Sequence, residues 1–385
     1  MAGPSIQVGA DSQLATTVVE MLRKVPPLPT ECCIFKVPEC LRSVNEEAYT
    51  PIVISIGPLH HEEKKLQPFE AHKKSDEFVT MMLLDGCFII EFFLKAIFPK
   101  DKYDPVKRSC SLRDSVYRDI LLLENQLPYF VLNNLYNLVN GPEKRCSIFS
   151  FHQLTLRHLK YLLKMGQPDH FIRSSCDDIK HLLDILLVYF VPSTTRIQTT
   201  ETAKVRTIPS ATTLHESGVK FNTGTTNCFL DITFTYGVIH IPTMTVDDGT
   251  ELVFRNLIAM EQSQEDTTNF IGDYFDILDS LVNTANDVAF LQFNGFIENG
   301  LGSNEEVAQM INNINNGVIA TPSKSHYYGA LMQDLNDYYR CHQWMAKLRR
   351  DYLNNPWTIR SLCAAFFLLV CTLIQTVCSV ISVRR

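Results

Sequence analysis

"FVTMMLLDGCFIIEFFLKAIF", Phe78–Phe98, is the stretch on which the architecture turns. By length and apolar content it passes for a membrane span. Its polar residues are few: Thr80, Asp85, Glu91 and Lys95. An internal Asp85-Gly86 pair and Glu91 are costly in hydrocarbon, so the spacing predicts a helix inside a water-soluble core instead.

The neighbouring segments extend this helical core. "SVYRDILLLENQLPYFVLNNLYNLV", Ser115–Val139, reads as a second buried helix, broken or kinked at Leu127-Pro128. "LRHLKYLLKM" and "DDIKHLLDILLVYFVP" carry apolar residues at spacings of three and four and continue the run. Upstream, "CIFKVPECLRSVNEEAYTPIVISIGPLHH" reads as short strands and turns, with the β-branched Ile52–Ile56 ended by Gly57-Pro58. Residues 192–210 are Thr-rich and polar, a mobile loop. "CFLDITFTYGVIHIPTMTVDDGTE" then alternates as strands do, punctuated by Gly237 and Pro242. Asp248 with Glu251 has the spacing of a capping box opening a helix, as does Ser303 with Glu306, and Gly317 closes the second of these helices. "FIGDYFDILDSLVNTANDVAFLQ" reads as one further helix.

The C-terminus differs in kind. "LCAAFFLLVCTLIQTVCSVISV", Leu362–Val383, holds no charged residue and meets the roughly 20 residues needed to cross about 30 Å of hydrocarbon. Asn355 is placed to cap, Pro356 suits the first turn and Trp357 suits the interface. Only Arg384 and Arg385 follow, so the expectation is a tail anchor. Lys347, Arg349, Arg350 and Arg360 flank the other side, which by the positive-inside bias places the large domain in the cytosol. No asparagine begins an Asn-x-Ser/Thr acceptor, in keeping with that side. The expected organisation is an N-terminal extension over 1–31, a globular domain over 32–340, a basic juxtamembrane helix over 341–361 and the span over 362–383.

Net charge is -7 with acids and bases interspersed, and no basic stripe marks a nucleic-acid partner. Twelve cysteines without a CxxC spacing support neither a disulfide scaffold nor a zinc ribbon; free thiols in a reducing compartment are expected.

Two groups carry candidate chemistry. His60, His61, Glu70 and His72 crowd one polar stretch. Adjacent side chains point to opposite faces of a strand and diverge by about 100° on a helix, so His60 and His61 do not chelate one ion in regular structure. HExxH spacing is absent. Glu124, in "LLLENQLP", is either a buried acid of raised pKa or a group serving the free carbonyls before Pro128. "TVDDGTE" lacks the alternating carboxylates of a calcium loop. No nucleophile elbow, phosphate-cradling loop or dinucleotide fingerprint occurs. Cys363 is placed for acylation near the interface, though plain apolar filling explains it as well. No catalytic, cofactor-binding or metal residue is assigned on these grounds.

The stretches "FKVPECLRSVNEEAYTPIVISIGPLHH", "EAHK", "MMLLDGCFIIEFF", "DILLLENQLPYFVL", "PSATTLHESGVKF", "DDGTELVFRNLIAMEQ", "GLGSNEEVA" and "RDYLNNPWTIRSLCAA" run in order through nearly the whole chain. Together they resemble the plant family catalogued as domain of unknown function 247. The resemblance implies a membrane-associated, mainly helical protein with a C-terminal span and no established catalytic activity or cofactor. It also implies that some members take part in pollen recognition in grass self-incompatibility. One departure stands out: the family pattern has several tens of residues between the "HK" motif and "MMLLDGCFIIE", whereas here Lys74-Ser75 looks like a deletion junction.

The expectation is an α+β fold, mainly helical, with a small β-rich portion from the N-terminal strands and Val219–Thr245, plus the C-terminal span. The expected function is a non-enzymatic interaction or signalling module with the lipid bilayer and an unidentified protein as partners. The alternative is a hydrolase using His60, His61 and His72, or Glu124.

Overall fold

The computed structural model describes residues 34–60, 75–97, 109–139, 149–163, 179–190, 207–224, 228, 230–264, 268–319, 326–348 and 356–383. In chain order the elements are α1 (Glu39–Arg42), α2 (Ser75–Ile97), α3 (Cys110–Ile120), α4 (Tyr129–Val139), α5 (Phe151–Leu163), α6 (Leu182–Phe190), α7 (Ala211–Glu216), β1 (Lys220–Thr223), β2 (Thr233–Thr235), β3 (Val238–Ile241), β4 (Met244–Val246), α8 (Thr250–Gln262), α9 (Phe270–Leu281), α10 (Ala285–Phe293), β5 (Ile297–Asn299), α11 (Asn304–Ile314), α12 (Gly329–Leu348) and α13 (Pro356–Val383). The described chain is mainly helical with a small strand portion, an α+β fold. It packs as two compact units. One takes the residues up to Tyr189 together with Leu252–Glu265; the other takes Phe190–Glu251 and Asp266 onward. The extension over 1–31 and most of the Thr-rich loop lie outside the described residues.

In the first unit α2 packs against α4 and α5. The helix expected over Phe78–Phe98 is present, and its buried face carries Met81, Met82, Ile89, Ile90, Phe92 and Phe93. Its two odd residues have structural reasons. Asp85 accepts a hydrogen bond from the Gly57 amide at 2.9 Å. Gly86 lets α4 approach, since a Cβ there would stand 2.6 Å from Leu135 Cδ1.

One expectation needs correction. The N-terminal segment contains no strand among its described residues: it runs through α1 and a 3-10 turn, Glu46–Ala48, and then through bends. The amides of Ile52, Val53, Ile54 and Ile56 bond to side chains of Asp119 and Asn125 rather than to a neighbouring strand. The β-branched run satisfied the composition of a strand without having a partner. The break read at Leu127-Pro128 is present: Ser115–Val139 lies in two helices, α3 and α4, separated by Leu121–Pro128. Pro128, with no amide hydrogen and a fixed φ, precedes the first turn of α4.

The second unit holds the strands. β3 lies between β1, which is parallel to it, and β2, which is antiparallel; β4 pairs in parallel with β5. The strand alternation read over Cys228–Glu251 therefore corresponds to β2, β3 and β4. The β2–β3 hairpin turns at Tyr236 and Gly237, with φ of 50° and 78°, the left-handed pair of a type I′ turn. A Cβ on Gly237 would stand 2.7–2.9 Å from the Tyr338 ring. Gly237→Ala is expected to cost about 1–3 kcal/mol from backbone strain and this clash. A shift in the urea midpoint smaller than the scatter of replicates would contradict it.

Helices α9 and α10 divide the stretch that reads as one helix. The division is made by a capping box at Thr284, whose amide and hydroxyl both bond to Asp287 Oδ2 at 3.1 and 3.0 Å. Ser303 accepts from the Glu306 amide at 3.2 Å, while Glu306 returns its bond to Gly302 rather than to Ser303.

Candidate functional site

The polar groups of the first unit converge on the break between α3 and α4. Glu124 is buried there. Its Oε1 accepts from the Val37 amide at 2.8 Å, and its Oε2 takes the Arg42 guanidinium from the last turn of α1. His60 Nε2 lies 3.2 Å from the same oxygen, in contact but off the line of a hydrogen bond. Burial by itself pushes the Glu124 carboxyl up. The contacts with His60, Arg42 and the Val37 amide outweigh it and hold the carboxyl below its ordinary value.

Glu124 therefore does not serve the carbonyls before Pro128, which a carboxylate cannot do because it donates nothing. Its neighbours do that. Gln126 Nε2 donates to the carbonyls of Ile120 and Leu122 at 2.7 and 2.8 Å, and Asn125 Nδ2 donates to those of Asp119 and Ile54 at 2.9 and 3.1 Å. Asp119, fully buried, accepts three consecutive amides, Ile52 at 3.0 Å, Val53 at 2.7 Å and Ile54 at 2.9 Å. Asn256, on α8, accepts from the Leu123 amide and donates to the Ala48 carbonyl, both at 2.8 Å. Asp119, Glu124 and Asn125 thus form a clamp. It binds the extended segment around Val37–Gly57 to the core by saturating backbone groups that have no sheet or helix to pair with.

Of the residues singled out in the sequence, the structure brings His60 and Glu124 together. His61, Glu70 and His72 lie outside the described residues. The turn at Asp247 is closed by the Asp247 amide donating to Thr250 Oγ1 at 2.8 Å and the Gly249 amide donating to Asp247 Oδ1 at 3.1 Å. Cys363 is an exposed free thiol on α13.

A cluster that sequence reading missed lies in the second unit. Asp273 and Asp276 of α9 and His326 offer ligand atoms within 4.8 Å of one another. His326 Nε2 is 3.7 Å from Asp273 Oδ1 and 3.5 Å from Asp276 Oδ2. His326 Nδ1, however, accepts from the Tyr328 amide at 3.1 Å, which in the neutral ring leaves the proton on Nε2. A cation there would require the other tautomer, with Nδ1–H facing the Tyr328 N–H. Asp273 also accepts from the Tyr327 amide, and Asp276 from Asn315 Nδ2 at 2.7 Å. The set fits a loop-pinning contact better than a metal centre. The sequence signal was the i, i+3 spacing of the two aspartates; His326 carried none.

The second unit also has a shallow groove where the β2–β3 hairpin meets α12, lined by Phe234, Tyr236, Tyr338, Cys341 and His342 with Asp334 and Asp337. Tyr338 and His342 stack at 4.1 Å. Tyr236 projects fully into solvent at the turn.

Fold and clamp define a class: an α+β protein in which the buried Asp119 and Glu124 accept backbone amides of the N-terminal segment, followed by a long apolar helix at the C-terminus. The chain belongs to the plant family of unknown function 247, whose model matches residues 34–75 and 74–371. It is similar to UPF0481 protein At3g47200 of Arabidopsis thaliana, 28% identical over 421 aligned positions that cover 91% of this chain and 87% of the relative. It is also similar to a putative UPF0481 protein, At3g02645, of the same plant, at 22% identity with 89% of each chain covered. No solved structure matches the chain.

Proposed function

We propose that this protein is a non-enzymatic interaction or signalling module held at a membrane by residues 362–383, with its large domain on the cytosolic side. The observation that carries the reading is α13. Its stretch Arg360–Ser379 holds an 18-residue window with a mean hydropathy of 2.2, none of it buried. A helix of that length, with its apolar side chains exposed, is matched by hydrocarbon. Arg360 packs over Trp357 at 5.3 Å, a pairing suited to the headgroup level. Further support comes from the clamp, in which the buried Asp119 and Glu124 accept backbone amides.

Membrane fractionation tests the anchor. The full chain is expected to stay in the pellet after alkaline carbonate washing, and a tag at Met1 to be digested in intact vesicles with the cytosolic face outward. Release of the chain by carbonate, or a protected tag, would overturn the anchor or its orientation. The contact between His60 and Glu124 favours a second reading, a hydrolase. That reading requires turnover of an ester or amide substrate that disappears in His60→Ala while the circular dichroism spectrum is unchanged.

A further inference from the structure

We propose that the groove where the β2–β3 hairpin meets α12 receives an arginine side chain presented by a protein partner. Its volume is about 370 Å³, room for one long side chain. Asp334, Asp337, Tyr338, Cys341 and His342 recur at the spacing of a single helical face and supply one wall. Phe234 and Tyr236 of the hairpin supply the other. Asp334 and Asp337 are exposed, and neither has an ion pair among the described residues. Gln333 Nε2 donates to Asp337 Oδ2 at 2.9 Å, which leaves the other oxygen open. His342 Nδ1 lies 2.9 Å from the Tyr338 carbonyl. A carbonyl only accepts, so Nδ1 carries the proton and Nε2 of the neutral ring is a further acceptor. No lysine or arginine is among the residues that line the groove. Arg340 stands about 200° around α12 from Tyr338. Lys220 pairs with Val238 and Phe234 with Ile239, so Lys220 is on the opposite face of the sheet from Phe234.

The charge that completes this set is positive, and the aromatic walls narrow it further. Phe234 meets Tyr338 edge to face at 5.7 Å, and Tyr338 stacks on His342 at 4.1 Å. Ring faces attract cations. A guanidinium is planar and weakly hydrated, with five N–H donors, so it stacks on a ring and serves several acceptors at once; an ammonium is a strongly hydrated point charge. The groove is shallow, whereas a small-molecule site ordinarily buries about 70–90% of its ligand. A side chain carried by a protein makes the rest of its contact outside the groove, and Tyr236 offers that surface. Its φ of 50° is a left-handed position that favours Asn, Asp or Gly, so a tyrosine there costs backbone energy. Its ring is fully exposed and has no hydrogen-bond or ring partner among the described residues. Tyrosine and arginine are the side chains that most often anchor protein interfaces. This partner chemistry rests on the interaction role proposed above.

The test titrates the full chain in detergent micelles with the blocked pentapeptide Gly-Leu-Arg-Leu-Gly. Alkylation of Cys341, an exposed thiol in the groove, by iodoacetamide is followed by site-resolved mass spectrometry. Saturable protection of Cys341 is expected below about 1 mM peptide, and the citrulline analogue, which keeps the shape without the charge, is expected to bind about tenfold more weakly. Two variants should each weaken binding by about tenfold without lowering the urea midpoint: Asp334→Asn with Asp337→Asn, at exposed positions, and Tyr236→Asn, which suits the turn better than tyrosine. Absent protection overturns the proposal. So does equal protection by the citrulline peptide, or binding unchanged in either variant. Agmatine protecting Cys341 as well as the peptide does would make a small amine the occupant and overturn the protein partner. The carbonate wash does not depend on the groove, so the anchor and this site fail separately.

Discussion

Glu124→Ala is expected to lower the unfolding free energy of the first unit by about 3–5 kcal/mol, the usual cost of removing one partner from a buried ion pair. The substitution leaves the Arg42 guanidinium and the Val37 amide without their acceptor. It also frees His60, so the segment from Val37 to His60 loses an attachment at each end. Glu124→Gln keeps the shape but presents an amide NH₂ group to one of its two donors, so most of the loss is expected to remain. Pairing it with Arg42→Met should recover part of the loss, because the stranded charge is then gone. Urea titration of the four proteins measures this. A loss below about 1 kcal/mol in Glu124→Ala, the size of an ordinary surface change, would refute the clamp.

Acid is expected to have the second large effect. His158 is buried and its neutral ring is fully engaged: Nε2 bonds to the Phe93 carbonyl at 2.7 Å and Nδ1 to the Tyr117 hydroxyl at 3.0 Å. The ring stacks on Phe93 at 4.6 Å. Burial lowers its pKa to about 4, with the nearby Arg157 charge adding and the Phe93 carbonyl opposing. His181, fully buried beside Lys180, is lowered to about 3. The folded chain therefore resists protons that the unfolded chain binds near pH 6.5. Stability is full above that value and falls as the pH drops towards 4, by about 2 kcal/mol from His158 alone at pH 5. The depressed Glu124 carboxyl has the same sign but acts only below the ordinary carboxylate range of about 4.3. Urea midpoints at pH 8 and pH 5 check the claim. The drop should shrink in His158→Gln, whose amide can donate to the Phe93 carbonyl and accept from Tyr117. An equal drop in both proteins would remove His158 as its cause.

The helical core was legible because its periodicity is local. The apolar spacing of α2 identified the helix, and its buried face packs in the core of the first unit. The reasons for Asp85 and Gly86, the Gly57 amide and Leu135, were not legible, because both lie far along the chain. The same limit applies to the site. Arg42 and Glu124 are 82 residues apart, and no spacing rule links them. Residues 52–56 were misread for a different reason. β-branched composition reports a residue's fit to a pleated surface, not whether a partner strand exists. β5, three residues long, was too short to register. Thr284 with Asp287 did offer a readable cap, outweighed by the continuous apolar pattern around it.

The clamp also bears on the order in which this chain is made. Asn256 reaches back 208 residues to Ala48, so the first unit is completed by a helix synthesised after the β1–β4 segment of the second. At ribosomal rates of about 5–20 residues per second, the stretch from Phe190 to Glu251 delays that closure by about 3–12 s. During this interval Leu123 and Ala48 await their shared asparagine, and a chaperone has time to act on the exposed core. A fragment ending at Tyr189 is accordingly expected to show no cooperative unfolding transition until a peptide spanning Thr250–Glu265 is added. A sharp transition in the fragment alone would mean that the nascent chain does not have to wait.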